Sequence, residues 1–295
     1  MKKEDEPFKI PLKTSLILEG GGLRGIYSSG ILKFLMEKEI WFPYVIGVSS
    51  GACNGSNYVS RQIERNRIVN IDFVKDPRYL SVWRWLLGGE LFGMDFLFDA
   101  LPNDLAPFDF KTFENSKQVM VTGVSDCITG KPVYFNQHET SENFLTVLRA
   151  SCSLPLFAPP VKLNGRHFMD GGITEAIPIR KSIKDGNQKH VIILTRPKGY
   201  EKKPSKLNLF LRLKYPQFKG LINVFSTRHQ TYNETLEHIE NLENEGKAFV
   251  FRPPSGLSLG RTEKDTQKLT VAYERGYEDI KQRFQEFINF LSSSG

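Results

Sequence analysis

Two stretches near the start of the chain decide the fold, SLILEGGGLRGIYSSGILKFL (15–35) and YVIGVSSGACNG (44–55). Each opens on a short apolar run that predicts a strand, Ser15 to Glu19 in the first and Tyr44 to Val48 in the second. Each run then passes through small residues into a helix, and the first helix carries an apolar stripe at helical spacing. The order strand, helix, strand, helix predicts an α/β fold with parallel strands joined by crossover helices.

The composition is that of an ordinary globular protein, with 295 residues, 40% of them hydrophobic and 25% charged. No run approaches the roughly 18 apolar residues that suggest a membrane span, and the N-terminus lacks the apolar core of a secretory signal. Cys53, Cys127 and Cys152 are an odd number of cysteines without CxxC spacing. We therefore expect no disulfide framework, no metal site, no cofactor and a cytoplasmic location.

The net charge of +7 is concentrated in one segment, residues 196–219, which holds eight basic residues and one acid. Apolar side chains such as Phe210, Leu213 and Phe218 interleave with these charges. The pattern suits peripheral contact with an anionic membrane surface at the inner face of the membrane, and a solvated helix face is the alternative. No nucleic-acid motif accompanies the segment, so no nucleic-acid partner is expected. The sequence carries no sign of the oligomeric state.

The segment from about 76 to 115 differs from its surroundings because it is aromatic and loop-like. We predict a helical cap insertion over one end of the sheet, whose apolar residues line an acyl-chain pocket or form the core of the cap itself. Those residues are Trp83, Trp85, Leu86, Leu87, Leu91, Phe92, Phe96, Leu97 and Phe98. Around it we expect an N-terminal extension (1–13), a catalytic domain (14–196) and a C-terminal region (197–295) that packs on the same domain. The C-terminal region should contain helices over Thr227 to Gly246 and Asp265 to Leu291.

The residues Gly47-Val48-Ser49-Ser50-Gly51 match G-x-S-x-G, the nucleophile elbow of serine hydrolases. An apolar strand directly before Ser49 and a small-residue helix directly after it are the context that this motif requires. The elbow exposes the serine oxygen at the carboxyl edge of the sheet and directs a helix N-terminus at a nearby oxyanion. The alternative is a glycine-rich turn with a bystander serine.

The turn Gly20-Gly21-Gly22-Leu23-Arg24-Gly25 also lies between a strand and a helix. It satisfies G-x-G-x-x-G, a dinucleotide-binding pattern, but that pattern expects an acidic residue about 20 positions on, where this chain has Ser49. The other interpretation is an oxyanion hole. Backbone N–H groups of the glycine turn would then bind the negative oxygen that forms when Ser49 attacks a carbonyl.

A serine nucleophile needs a base, and none of the five histidines lies in an obvious partner motif. Asp170, followed by Gly171 and Gly172, offers a carboxylate that can approach a neighbouring loop without obstruction. Asp-Gly is also a common turn dipeptide. His167, three residues earlier, is a competing base.

Taken together and in this order, the three elements resemble the patatin-like phospholipase family. The resemblance covers about Ser15 to Thr195 and rests on G-G-G-x-R-G at 20–25, G-x-S-x-G at 47–51 and D-G-G at 170–172. The last third also looks like the C-terminal portion of bacterial patatin-like proteins.

The resemblance implies a three-layer α/β/α fold and a Ser–Asp dyad without histidine. Ser49 would attack the acyl ester and Asp170 would accept its proton, with an oxyanion hole at Gly20 to Gly25 and an acyl-enzyme that water releases. The expected function is lipid acyl hydrolysis of the phospholipase A, lysophospholipase or esterase type. An acyltransferase using the same serine and a non-catalytic lipid-binding protein are the alternatives.

Overall fold

A mixed sheet with helices on both faces organises the part of the chain that our computed structural model describes, residues 9–293. Most of the predicted N-terminal extension, residues 1–8, lies outside the described residues. Within residues 9–293 the sheet has eight strands. They are β1 (Thr14–Leu18), β2 (Tyr44–Val48), β3 (Val119–Asp126), β4 (Pro132–Asn136), β5 (Val161–Leu163), β6 (Arg166–Asp170), β7 (Lys189–Ile193) and β8 (Ala248–Phe251).

The strand order confirms the predicted α/β class with a mostly parallel central sheet. The order is β5-β6-β3-β2-β1-β7-β8, with β4 paired to β3 off this path. Strands β3, β2, β1, β7 and β8 run parallel, whereas β4, β5 and β6 join by antiparallel pairing. The parallel strands bring their carboxyl ends to one edge, where open α/β sheets bind ligands.

Helices connect and cover these strands. The α-helices are α1 (Ile26–Glu37), α2 (Ser50–Val59), α3 (Arg65–Arg67), α4 (Val82–Leu86), α5 (Phe110–Glu114), α6 (Phe144–Cys152), α7 (Ile179–Lys184), α8 (Asn208–Lys214), α9 (Lys219–Asn244), α10 (Thr266–Gln282) and α11 (Phe284–Ser292). Two π-helical segments span Ile68–Asp72 and Phe96–Leu105, and 3₁₀ turns span Gly22–Gly25, Gln137–Glu139, Ser141–Asn143 and Gly171–Ile173.

Alternation along β1 divides the core between the two faces of the sheet. Leu16 and Leu18 belong to the cluster formed with α1, α2, α10 and α11, whereas Ile17 belongs to the cluster formed with α7 and α9. Successive side chains of a strand point to opposite faces, so a continuous apolar run such as SLIL is buried on both sides. This arrangement gives the three layers.

The C-terminal helix α10 packs on α1 through two glycines. A Cβ atom at Gly30 would lie 1.9 Å from the Tyr273 carbonyl oxygen, and one at Gly276 would lie 2.0 Å from the Tyr27 carbonyl oxygen. Only residues without a Cβ atom permit so close a crossing. The C-terminal region is therefore fitted against the first crossover helix and also supplies β8 to the sheet.

The structure differs from the sequence prediction in the C-terminal region. Helix α9 begins at Lys219, eight residues before the predicted start, because its first turns bury Leu221 and Phe225. The single helix predicted over Asp265 to Leu291 is wrong, since α10 and α11 break at Arg283. The Arg283 guanidinium donates to the Val250 carbonyl at 3.0 Å. The break turns α11 into the core against β8, a strand that the sequence analysis missed.

Short helical segments occupy the predicted cap, with α4, the π-helical segment Phe96–Leu105 and α5 in succession. Leu91, Phe96 and Leu101 are buried there in an apolar cluster that also includes Leu269 of α10. Within residues 9–293, no helix combines the length and apolar character that a bilayer crossing requires.

Candidate active site

Ser49 occupies a strained turn between β2 and α2. Its backbone has φ 55° and ψ −128°, in the left-handed half of conformational space that few non-glycine residues adopt. The flanking glycines allow this turn. A Cβ atom at Gly51 would lie 2.3 Å from the Leu18 carbonyl oxygen, and one at Gly47 would lie 2.6 Å from the Gly51 carbonyl group. Strain of this kind concentrates at functional sites.

Ser151 fixes the backbone of the elbow. The Ser49 N–H donates to Ser151 Oγ at 2.8 Å, and Ser151 Oγ donates to the Gly123 carbonyl at 2.7 Å. Helix α6 and strand β3 thus both hold the backbone of Ser49 in place, through Ser151. Sequence analysis missed Ser151, because one serine near a helix end carries no signal.

The register of β3 brings Asp170 next to the elbow. Val48, the last residue of β2, pairs with Gly123, and Asp170, the last residue of β6, pairs with Val124. Since β4 pairs with the same part of β3, β2 and β6 share its other edge and meet end to end. Adjacent positions on a strand are about 3.3 Å apart, so Ser49 and Asp170 emerge beside each other.

Asp170 is almost fully buried, with 7% of its surface exposed. Its Oδ1 accepts a hydrogen bond from the Gly172 N–H at 2.7 Å, and Gly171 lies so close to β3 that a Cβ atom there would be 2.3 Å from the Gly123 carbonyl oxygen. Burial raises the pKa of Asp170, while Arg261, the Ser49 hydroxyl, the Gly172 amide and Arg228 oppose the rise. A carboxyl with a raised pKa is a better proton acceptor for a hydroxyl than a free one.

The glycine-rich turn lies across the mouth of the elbow, and most of its amides are already engaged. The N–H groups donate from Gly20 to the Ala176 carbonyl, from Gly21 to Ser50 Oγ, and from Leu23 to the Arg261 carbonyl. Gly22, at φ 58°, has no hydrogen-bond acceptor for its N–H among the residues that the structure describes. Gly25 packs against Ser50, so that a Cβ atom there would lie 2.8 Å from Ser50 Oγ.

Arg24 of the same turn is buried, and its Nε has no partner within the described residues. Burial and the nearby Arg196 and Arg261 lower its pKa to about 10, with Glu19 opposing. Glu19 Oε1 accepts from the Tyr232 hydroxyl at 2.7 Å. Sequence analysis missed this role of Glu19. The residue stands at the end of an apolar run, and that run predicted only a strand.

Ser49 and Asp170 line one cavity of about 1400 Å³, counted out to its open mouth. Much of its lining is apolar and comes largely from the cap and α6. The apolar lining includes Leu23, Val69, Phe92, Met94, Leu97, Phe98, Pro102, Phe108, Leu145, Leu148 and Leu154. The lining also contains basic and aromatic residues, among them Arg24, Arg65, Arg196, Tyr200, Lys202, Arg228, Tyr232 and Arg261.

The structure sorts the predicted cap residues into three groups. Phe92, Leu97 and Phe98 line the cavity. Leu91 and Phe96 are buried in the cap cluster, where Trp85 is partly buried. Trp83 and Leu86 on α4 are exposed, as is Leu87 directly after it. Some of the predicted residues therefore line the cavity, others form the core of the cap, and the rest face outward.

His167 does not line the cavity. It pairs with Lys162 in the β5–β6 hairpin, and its ring lies 5.5 Å from that of Phe218. His167 and Asp170 are three positions apart on β6, so their side chains point to opposite faces of the sheet. Cys53 and Cys152 do line the cavity, with their Sγ atoms 3.6 Å apart, a meeting that their sequence spacing does not reveal.

Comparison with known proteins agrees with this architecture. The profile of the family "Patatin-like phospholipase" matches residues 16–182, and that of "Domain of unknown function (DUF6363)" matches residues 218–292. The uncharacterized protein YjjU of Escherichia coli K12 is 28% identical over 258 residues, which cover 85% of this chain and 71% of that protein.

Two further relatives are more distant. The "Probable lipid hydrolase 463L" of Invertebrate iridescent virus 6 is 26% identical over 64% of this chain and 71% of its own length. The crystal structure of VipD from Legionella pneumophila covers 94% of this chain and 67% of that one, with a TM-score of 0.54 and 12% identity, and so shows likeness of fold. Because the first family profile spans more than half of the chain, the chain belongs to the patatin-like phospholipase family.

Proposed function

We propose that this member of the patatin-like phospholipase family is a serine lipid acyl hydrolase of the phospholipase A, lysophospholipase or esterase type. Membership of a lipid hydrolase family supports acyl hydrolysis in general. The proposed mechanism rests on one observation. The register of β3 brings the strained Ser49 and the buried Asp170 together in a cavity whose lining is largely apolar.

In the proposed reaction, Ser49 Oγ attacks the ester carbonyl carbon and its proton passes to Asp170. The Gly172 N–H donates to Oδ1 of this carboxylate and so fixes its orientation toward Ser49. The tetrahedral intermediate collapses, the C–O bond to the leaving alcohol breaks, and Asp170 returns the proton to that alcohol. Water then attacks the acyl-enzyme in the same way and releases the fatty acid and free Ser49.

The negative oxygen of the intermediate needs donors that are not already engaged. We assign this role to the Gly22 N–H and to the first two amides of α2, at Ser50 and Gly51, because the next two, at Ala52 and Cys53, already donate to the Ser49 carbonyl. The Gly20, Gly21 and Leu23 amides, which bond elsewhere, would instead hold the turn in place. One such donor contributes about 3 kcal/mol to catalysis.

A covalent test separates this proposal from a bystander serine. A fluorophosphonate should label Ser49 in the wild type and leave Ser49→Ala unlabelled, and Ser49→Ala should lose turnover of p-nitrophenyl butyrate. Ser226→Ala is the matched control, because that hydroxyl bonds only within its own helix. Turnover surviving in Ser49→Ala would contradict the mechanism. Product analysis with glycerol as acceptor would reveal acyl transfer if the acyl-enzyme prefers an alcohol to water.

We further propose that the protein is cytoplasmic and attaches peripherally to the inner face of the membrane. Leu209, Phe210 and Leu213 are exposed on α8, whereas Phe218, grouped with them in the sequence analysis, is buried. Exposed Trp83 lies on α4, and exposed Leu87 follows directly after that helix. Both helices adjoin one loop: Trp85 of α4 donates to the Leu156 carbonyl at 2.8 Å, and Leu156 packs in the cluster of α8.

Vesicle sedimentation tests this attachment. The double variant Phe210→Ser/Leu213→Ser should bind vesicles containing phosphatidylglycerol more weakly than the wild type. Val271→Ser removes a comparably exposed apolar side chain from α10 and should bind like the wild type. Equal binding by all three proteins would contradict the assignment of α8.

A further inference from the structure

Six basic side chains line the cavity that holds Ser49, namely Arg24, Arg65, Arg196, Lys202, Arg228 and Arg261. Within residues 9–293, none of them forms a salt bridge with a carboxylate. Three of them, Lys202, Arg228 and Arg261, come from the C-terminal region, residues 197–295. Side chains of the C-terminal region therefore reach the catalytic cavity.

Two of these three are anchored to the catalytic loops. The Arg261 carbonyl accepts from the Leu23 N–H at 3.0 Å, and a Cβ atom at Gly22 would lie 2.5 Å from Arg261 Cγ. On the other side, Arg228 Nη2 donates to the Gly172 carbonyl at 2.9 Å, and its buried Nε has no partner among the described residues. Arg261 thus lies against the glycine-rich turn, and Arg228 lies against the aspartate loop.

Lys202 is the third basic residue that the C-terminal region contributes to the cavity. Its backbone exchanges two hydrogen bonds with the Asn233 side chain, at 2.9 and 3.1 Å. Its Nζ lies 4.1 Å from the centre of the Tyr232 ring. Burial, together with Arg228, Arg261 and Arg24, lowers the pKa of Lys202 to about 6, while Glu19 opposes the fall. Lys202 therefore needs a bound anion to hold its positive charge at neutral pH.

The cavity is therefore short of negative charge. Glu19 and Asp170 are the carboxylates in its lining, and both already accept hydrogen bonds, Glu19 from Thr195 N–H and Tyr232. Arg24 is buried, and Lys202, Arg228 and Arg261 are partly buried. Positive charges removed from water without anionic partners are costly to keep. A site that retains them fits an anion supplied from outside. Guanidinium forks and a lysine point charge are the donors that proteins use for phosphate.

We propose that Lys202, Arg228 and Arg261 form a subsite for the phosphate group of the substrate lipid, so that the C-terminal region completes the active site. This inference rests on the proposed function and narrows its substrate to acyl esters that carry a phosphate near the scissile bond. In this arrangement the acyl chain binds to the apolar lining of the cavity and the ester group lies at Ser49. The phosphate binds to Lys202, Arg228 and Arg261.

The test compares two monomeric substrates that differ only in the phosphate, 1-hexanoylglycerol 3-phosphate and 1-hexanoylglycerol. Wild type should show a kcat/KM at least about tenfold higher for the phosphate ester, the worth of one charge-assisted hydrogen bond. Lys202→Gln and Arg261→Gln should each lower this ratio fivefold or more. Lys203→Gln, which removes an exposed charge paired with Glu201, should leave the ratio unchanged.

Each outcome decides between defined possibilities. A wild-type ratio near one, or an equal fall in Lys203→Gln, would overturn the subsite while the hydrolase stands. If neither ester is hydrolysed, the proposed function fails, and the subsite is then judged by calorimetric titration of Ser49→Ala. In that titration glycerol 3-phosphate should bind more weakly to the Lys202→Gln form, and equal binding would overturn the subsite. Inorganic phosphate binding as tightly as glycerol 3-phosphate would overturn the lipid as its source.

Discussion

Replacing Asp170 with asparagine isolates the base from the scaffold around it. The substitution keeps an oxygen that can accept the 2.7 Å hydrogen bond from the Gly172 N–H and changes the side-chain volume little. It removes the proton acceptor for Ser49. A positioned general base contributes about two to four powers of ten in rate, or about 2.7 to 5.5 kcal/mol. We therefore expect kcat/KM for p-nitrophenyl butyrate to fall by that factor.

The same substitution should raise the stability of the protein although it lowers the activity. Burial raises the pKa of Asp170, so ionisation is less favourable in the folded state than in the unfolded chain. The destabilisation is absent below the unfolded pKa and fully present above the raised folded pKa. Asp170→Asn should therefore unfold at a higher urea concentration than the wild type at pH 7, and the difference should shrink as the pH falls through the raised pKa.

The measurements are ester turnover and urea unfolding of the wild type, Asp170→Asn and Asp104→Asn, a control on an exposed cap residue. Wild-type kcat/KM should also rise with pH through an apparent pKa above the ordinary aspartate value. Retention of a tenth or more of the activity by Asp170→Asn would refute the base assignment. A lower unfolding midpoint for that variant would refute the argument that burial dominates its pKa.

Three further changes test the packing and the cavity. Gly276→Ala places a Cβ atom 2.0 Å from the Tyr27 carbonyl oxygen and should lower the free energy of unfolding by about 1–3 kcal/mol; an unchanged urea midpoint would contradict the close crossing. A bulky maleimide on Cys53 or Cys152 should block ester turnover, because both thiols line the cavity, and full activity of protein shown by mass spectrometry to be labelled would exclude this. Leu97→Trp should shift the preferred p-nitrophenyl ester to a shorter acyl chain, and an identical chain-length profile would show that the chain lies elsewhere.

The parts of the site that sequence predicted are those whose constraints leave a local pattern in the sequence. The strand before Ser49 is continuous and apolar because both of its faces are buried. Gly47 and Gly51 are required by approaches between backbones close in the sheet. Asp170 could be identified from the glycine beside it, because Gly171 approaches β3 too closely for a residue with a side chain. In each case the signal that the constraint leaves in the sequence lies within a few positions of the functional residue, even where the approached backbone, such as Leu18 or Gly123, is far along the chain.

The parts that sequence could not predict depend on partners far along the chain. Ser151 lies 102 residues from the amide that it accepts from, and Tyr232 lies 213 residues from Glu19. The basic segment shows the same limit. Its composition predicted a surface feature, yet Arg196 and Lys202 enter the cavity while Arg212 and Lys214 remain exposed. Charge counts cannot distinguish these two groups, because tertiary packing alone decides which side chains turn inward.

The cations of the C-terminal region also act on the base, and this links substrate recognition to reactivity. Arg261 and Arg228 favour the ionised form of Asp170 against the effect of burial. A phosphate bound between them would offset that influence and raise the pKa of Asp170, making it a stronger base when the substrate is in place.

The acid limb of kcat reports the substrate complex and that of kcat/KM reports the free enzyme. For 1-hexanoylglycerol 3-phosphate we expect the kcat limb at higher pH than the kcat/KM limb, whereas for 1-hexanoylglycerol the two limbs should coincide. Coinciding limbs for both esters would show that the phosphate and the base do not communicate.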